Sequence, residues 1–489
     1  MRSRAHVGLT ASTLAFAIAA TAATACPSDV SARRPASPTQ FVTLGDAPFV
    51  YGRAGDARCA PFDPDRLRPA VGQVSIVSGS YSEGAFILGV VADGQIRFGF
   101  VDKTGGWIAQ PHYVDARPFC GGLAPVATGE DQWGFVDPKG ALAIPALFSA
   151  ARNFAEGLAA VRTAGDKGKW GFVTADGVQA IAPQFDDVGS FSEGVAPYEE
   201  GGKWGYLDRA GKVAIAPRSL SRGGDFADGR AIVVKPRYYA DGTHSELIDI
   251  KGKAAIDNPR YPALKALGGG LYELQRVDSQ RSGDGEVYFL SRIADKDGHM
   301  LPTAEFNEVG SFAESLLSVC RDDRCGYIDA RGGAAIAAKF TLAADFSEGL
   351  AGVFTADEKL GFVDHAGHFV IPAHFATEAD PIFGRPPGFH QGFASVGCGD
   401  HWGVIDRQGR WAVAPVFDGV DAFVNGLARV YVASLSGWRH IGLDRGLIDF
   451  APSEIGDLRK RQLQLCGAPL TPGAAFAPDA AATPAPTAK

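Results

Sequence analysis

Gly157 to Pro183 reads GLAAVRTAGDKGKWGFVTADGVQAIAP, and most of the chain is a variation on it. A Trp-Gly pair opens a short apolar strand, a turn follows, and a second strand closes on Ile/Val-x-Pro. A linker carrying Phe and Glu-Gly then leads to a third strand. The register returns at Phe98-Gly99, Trp133-Gly134, Trp204-Gly205, Cys325-Gly326, Leu360-Gly361 and Trp402-Gly403. Self-similarity at a fixed period decides the architecture before any other feature does.

The unit can be read physically. Trp170-Gly171-Phe172-Val173 and Val178-Gln179-Ala180-Ile181 run apolar or alternate over strand length, which predicts β-structure. Between them stands Asp-x-x-Gly or a relative, at Asp102 to Gly105, Asp137 to Gly140, Asp208 to Gly211, Asp329 to Gly332, Asp364 to Gly367 and Asp406 to Gly409. Asp can bond the backbone that opens a turn, and Gly accepts the positive φ that closes it. One carboxylate per turn is too few oxygens for calcium. Pro111, Pro145, Pro183, Pro217, Pro372 and Pro415 are expected to end the second strand, since proline cannot donate to a ladder. Phe-x-Glu-Gly follows at Phe154 to Gly157, Phe191 to Gly194 and Phe346 to Gly349. The Phe is expected to plug the core and the Gly to permit a bend. Glu156, Glu193, Glu314 and Glu348 are read as carboxylates that accept backbone N–H bonds at that bend.

Trp-Gly-[Phe/Tyr]-[Val/Leu]-Asp-x-x-Gly, then Ile-x-Pro-x-Phe-Asp, then Phe-x-Glu-Gly-Leu-Ala-x-Val resembles the bacterial WG-repeat family. Trp170 to Tyr198 and Trp133 to Val161 match it most fully. Phe98, Cys325 and Leu360 replace Trp. Two middle units have lost Trp-Gly, one at Glu246-Leu247-Ile248-Asp249 with Gly252, the other at Val287-Tyr288-Phe289-Leu290 with Asp297-Gly298. The resemblance implies an all-β repeat array that serves as a binding scaffold, and it supplies no catalytic residues. The expected fold is a tandem array of about ten three-stranded β-meander repeats, spaced roughly 34–42 residues apart. Uneven spacing favours an open β-solenoid-like stack. β-Propeller-like closure is the alternative, because the array begins on a third strand and ends on the first two.

The flanks carry different signals. Residues 1–25 read as a secretory signal, with Arg2 and Arg4 before an apolar run and Ala23-Thr24-Ala25 as a cleavage site. Cys26 follows and is a lipidation candidate, although Ala23 stands where a lipobox carries Leu. Residues 26–43 read as a flexible tether, 44–80 as an N-terminal β cap, 81–452 as the array, and 453–489 as a segment ending in a disordered Ala/Pro/Thr-rich tail. Export to the periplasm, or to the outer membrane or cell surface as a lipoprotein, is therefore expected. Of seven cysteines, acylation of Cys26 would leave an even set for an oxidising compartment. Cys320 and Cys325 flank four polar residues at a hairpin mouth and are expected to form a disulfide. Pairing among Cys59, Cys120, Cys398 and Cys466 stays open.

The formal charge of −8, without a Lys/Arg cluster, excludes nucleic acid as the expected partner. No Gly-x-Ser-x-Gly, P-loop, His-Glu-x-x-His or dinucleotide fingerprint is present, so no catalytic, cofactor-binding or metal residue is assigned. His365, His368, His374, His390 and His401 gather in one stretch but fall on turns and a post-proline position, where they would point apart. Trp133, Gly134, Trp170, Gly171, Trp204, Gly205, Trp402 and Gly403 are expected to form the buried repeat core. Trp107, Trp411 and Trp438 are freer and could make an aromatic platform. The function expected is a non-catalytic protein–protein interaction scaffold in the envelope. The alternative is a peptidoglycan or polysaccharide binder that uses exposed aromatics.

Overall fold

The computed structural model describes residues 39–41, 74–76, 82–92, 95–102, 107–165, 168–236, 244–278, 288–375, 386–398, 401–423, 427–432, 437–442 and 446–447. Among them no helix occurs. The strands make ten antiparallel sheets, each threaded in strict chain order, and none closes into a barrel. Cys26 and most of the residues read as leader, tether, cap and tail lie outside the described residues. Thr39–Phe41, from the tether, and Val74–Ile76, from the cap, pair with each other and join the first sheet. The described chain falls into two compact units. One contains the residues up to Asp322 with Ile328–Gly333, the other Asp323–Tyr327 and the residues from Ala334 on.

The third sheet shows how the sequence becomes structure. It runs Ala150–Ala155, Leu158–Arg162, Trp170–Thr174, Gln179–Phe185. The three expected strands are present, joined by an additional first one, which in several sheets shrinks to two residues such as Asp187–Val188. The sheet is offset from the sequence repeat: the strand that ends one copy of the repeat (Leu158–Arg162) pairs with the Trp-Gly strand of the next. Every sheet of this kind is therefore stitched from two successive copies.

The proline does not end its strand. Pro183 sits inside Gln179–Phe185, and the ladder resumes after it with Phe185 opposite Trp170. Between the pairs Trp170–Phe185 and Phe172–Ile181 the inner strand advances two residues and the outer one four. The surplus forms a bulge, where a missing N–H costs nothing. The bulge folds onto Gly171. A Cβ there would lie 2.6 Å from Ile181 O and 2.7 Å from Pro183 N. Gly99, Gly134, Gly205, Gly326 and Gly403 face the same backbone within 2.5–2.9 Å. The glycine of the repeat is thus fixed by the bulge on the neighbouring strand.

Cores lie between consecutive sheets. In the first unit Phe172, Ile181 and Leu158 of the third sheet meet Tyr198, Ala196 and Leu207 of the fourth, with Phe191 from the linker between them. Phe135 and Ile144 meet Phe154, Ala159 and Val173 one sheet earlier. In the second unit Phe362 and Ile371 meet Phe389, Val396 and Ile405. In the second and third sheets the linker phenylalanine strikes the aromatic two residues after Trp edge-on, Phe154 on Phe135 at 5.1 Å and Phe191 on Phe172 at 4.8 Å, the geometry such pairs favour. That aromatic is fully buried, while Trp133, Trp170 and Trp402 are only half-buried and Trp204 alone is buried. Trp133 and Trp170 reach the hairpin end of their strands and are capped by a cation, Arg152 standing 4.7 Å from the Trp170 ring and Arg117 5.1 Å from Trp133. The core expected at Trp is centred instead two residues on.

Gly171→Ala therefore places a methyl against backbone that has no side-chain slack. A loss of about 2–3 kcal/mol is expected, read as a fall in the thermal midpoint of the full chain. An unchanged midpoint would show that the bulge opens freely.

Candidate functional site

The polar residues repeated through the chain are engaged with backbone. In the Asp-x-x-Gly turn, Asp137 Oδ1 accepts from Lys139 N and Ala141 N, both at 2.9 Å. Asp208, Asp249, Asp295, Asp329, Asp364 and Asp406 do the same. The N–H groups of Gly333 and Arg331 hold the Asp329 carboxyl below the usual range, as does chiefly that of His368 for Asp364. Thr174 replaces Asp in the third sheet, and its hydroxyl donates to Asp176 and to Val178 O. The turn also locks sheets together: a Cβ on Gly211 would touch Ile181 of the preceding sheet at 3.1 Å, and one on Gly409 would meet Ile371 at 2.9 Å.

The Phe-x-Glu-Gly glutamates do accept backbone N–H bonds, but not at their own bend. Glu156 reaches Gly194 N, Glu193 reaches Gly229 N at 2.8 Å, and Glu348 reaches Gly392 N at 2.7 Å. Glu83 grips Gly121 N and Gly122 N together, at 2.8 and 2.9 Å. Each carboxylate fills a slot in the next copy, 36–44 residues on. Ser82 and Ser347 donate to Phe119 O and Phe389 O one copy ahead, both at 2.5 Å. Arg209 and Arg407, from the Asp-x-x-Gly turns, donate to the carbonyls of Glu156 and Glu348.

Trp107 and Trp411 are less free than their sequence context indicates. Each begins an outer strand and lays its ring over a repeat glycine. A Trp107 ring carbon is 2.8 Å from where a Gly99 Cβ would lie, and a Trp411 ring carbon 2.7 Å from that of Gly403. Trp411 also meets Phe375 edge-on at 5.7 Å. They cover a bare strand, leaving the remainder of each ring half-exposed. Trp438 is in strand Gly437–Gly442, and its side chain lies outside the described part. Cys320 and Cys325 are both disulfide-bonded, and so is Cys120. Cys59 and Cys466 lie outside the described residues. The histidines are separate: His365 stacks on Phe346 at 4.5 Å, His374 contacts Pro372 O, and His401 faces Asp418. Among the described residues no three His, Cys, Asp or Glu side chains converge as metal ligands would.

The fifth and sixth sheets depart from the pattern. Superimposed on the turn residues Asp249 and Asp295, they place Glu246 and Arg292 where the other sheets have glycine. In the second of these units the turn acceptor is Asp295, two residues before the Asp297-Gly298 singled out in the sequence. A side chain at this position forbids the bulge, and the outer strand accordingly shrinks to Ala254–Ile256 in the fifth sheet and is lost from the sixth. Glu246 is buried and lies 3.6 Å from Arg218 and from Lys235. Arg218 itself stands at the strand end that Phe148, Phe185, Phe340, Phe375 and Phe417 occupy in other sheets. An ion pair therefore joins the fourth and fifth sheets at these two positions. Glu273, also buried, takes Ser291 Oγ at 2.6 Å and Gln275 Nε2 at 2.8 Å. The segment replacing the sixth outer strand is pinned by Glu305, which accepts two bonds from Arg276 at 2.9 Å and one from Tyr261 at 2.5 Å. Arg276 first, then Tyr261, lower the Glu305 carboxyl to about 2. The erosion of Trp-Gly was visible in the sequence; aligning on the turn aspartates was the step that would have exposed the charges.

The WG containing repeat matches residues 98–130, 133–167, 170–204, 204–235, 326–356 and 402–433. No curated protein matches the sequence. Among solved structures the chain is similar to BamB from Moraxella catarrhalis, with 13% identity over 60% of this chain and 95% of that one and a TM-score of 0.26. It is similar to PorZ, a surface component of the type-IX secretion system of Porphyromonas gingivalis, with 12% identity over 76% and 57% and a TM-score of 0.25. It is similar to the WD40 propeller domain of Doa1 with 15% identity over 51% and 86% and a TM-score of 0.23.

Because the folded Glu305 carboxyl is lowered, its contribution is complete above the ordinary glutamate range and disappears as pH falls from there toward about 2. Glu305→Gln is expected to cost about 1 kcal/mol at neutral pH and progressively less as pH falls through about 2. Thermal midpoints of the two proteins that fail to converge on acidification would contradict this.

Proposed function

The chain belongs to the WG-repeat family, and from that premise we propose that it is an exported, non-catalytic scaffold that binds another protein in the cell envelope. One observation carries the reading. The outer strands expose large apolar side chains at recurring positions just after the turn: Leu142, Val178 and Val213 at 45%, 59% and 60% in the first unit, Phe369, Val370 and Trp411 at 41%, 50% and 38% in the second. Leu142, Val213, Phe369 and Trp411 each stand two residues after the turn glycine, with Val178 and Val370 one residue to either side of that place, and large apolar side chains kept in water beside one turn after another suit contact with a protein. The edge itself is a poor template for an added strand, because Pro145, Pro183 and Pro217 and their bulges interrupt it. The partner then docks on side chains rather than extending the sheet. The Asp, Glu and Ser residues that recur most are held by backbone, which supports a binding role over a catalytic one.

A pull-down from envelope extract tests this. The full chain should recover a defined protein, and the triple variant Leu142→Ser, Val178→Ser, Val213→Ser should lose it while keeping its melting point. Recovery no better than a scrambled-array control would defeat the reading.

The half-exposed Trp411 ring favours a second reading, a polysaccharide ligand stacked on outer-strand aromatics. Co-sedimentation with peptidoglycan should then fall when Trp107, Trp411 and Trp438 are all changed to Ala. Unaltered co-sedimentation removes that mechanism.

A further inference from the structure

The glutamate-to-glycine bonds form a series with a gap. Glu83 fills the slot at Gly121 and Gly122, Glu156 fills that at Gly194, and Glu193 fills that at Gly229. The slot at Gly157 should be filled from position 121, which is glycine and has no carboxylate to give. The loop is nonetheless built like the others. Glu156 has φ of 49° and Gly157 of 79°, against 52° and 83° at Glu193 and Gly194. Two successive left-handed residues turn their N–H groups to one side and make an anion-binding concavity. The Gly157 N–H has no protein partner among the described residues. The Glu156 carboxylate does not occupy this slot, since it bonds Gly194 in the following copy. Beside the slot stands Arg209, half-exposed, with Nη1 on Glu156 O and 3.6 Å from Glu156 Oε2, and with Nη2, on the side of the slot, 3.9 Å from the point a Gly157 Cβ would take.

We propose that the open slot over Gly157 receives the carboxylate of an acidic side chain belonging to the partner protein. The chemistry is assigned by the molecule's own example: equivalent slots hold the side-chain carboxylate of a glutamate supplied from outside the loop. At Gly157 the donor and its neighbouring guanidinium are in place, and no described residue of this chain supplies the acid. The inference deepens the scaffold reading and rests on it. It places one polar anchor beside the turns that precede the exposed apolar residues, so that the pair would fix the partner's register as well as its affinity.

The full chain, isotopically labelled, can be titrated with an acetyl-capped, amidated hexaglutamate and followed by the Gly157 amide in NMR. That proton should move downfield to saturation, the hexaglutamine peptide should leave it unmoved, and Arg209→Ala should weaken the response. Gly121→Glu should fill the slot from within: the Gly157 amide should start downfield and ignore the peptide, while Gly194 and Gly229 keep their wild-type shifts. If Gly121→Glu does not fold, the Arg209→Ala and hexaglutamine arms decide. A Gly157 amide indifferent to hexaglutamate, or equally responsive to hexaglutamine, overturns the proposal. An indifferent amide in a chain that still captures an envelope protein removes the slot and keeps the scaffold. A responsive amide in a chain that captures nothing does the reverse.

Discussion

The contact on which the array depends is backbone against backbone, where the outer-strand bulge lies on the glycine after tryptophan. No side chain fits between Gly171 and the Ile181 carbonyl. That closeness lets the outer strand curl over its neighbour, turning Ile181 and Phe185 inward while most of the strand between and before them is left to solvent. It explains the glycine, and it explains the proline, which occupies the one place in the strand where a donor is not needed. It also accounts for the aromatics at Trp107, Phe369 and Trp411, whose rings cover the bare glycine from the side.

The fifth and sixth sheets show the dependence by violating it. With Glu246 and Arg292 in place of glycine, the outer strand contracts or disappears. The buried charge at Glu246 is answered by Arg218, which has displaced the usual phenylalanine. A buried carboxylate without a counter-charge would cost several kcal/mol, and Arg218 with Lys235 supplies that charge. The outer strand is then replaced by an irregular segment that needs its own fastening, and Glu305 between Arg276 and Tyr261 supplies it.

Between copies, polar side chains stand in for backbone partners that the offset sheets cannot provide. Left-handed loop residues leave N–H groups without a ladder, and glutamates one copy earlier satisfy them. Serines answer the carbonyls. These bonds, with the shared cores, make each sheet's stability a property of its neighbours. They also assign the recurring acids to structure, which leaves the exposed apolar residues of the outer strands and the loop at Gly157, whose glutamate is missing, outside that scheme.

The sequence by itself determined the β class, the repeat and its approximate number, the turn chemistry of Asp-x-x-Gly, and the phenylalanine plug, because each depends on residues close together in the chain. It pointed to the glutamates as backbone acceptors but not to their targets. The tertiary structure decided what depends on neighbours. It put Pro183 inside a bulge rather than at a strand end, moved the centre of the core from Trp170 to Phe172, and laid Trp107 and Trp411 on glycines. It carried each glutamate to the next copy and brought Arg218 to Glu246. The glutamate and Arg218 contacts join one copy to the next, and the others depend on a bulge between paired strands; neither leaves a mark on local pattern.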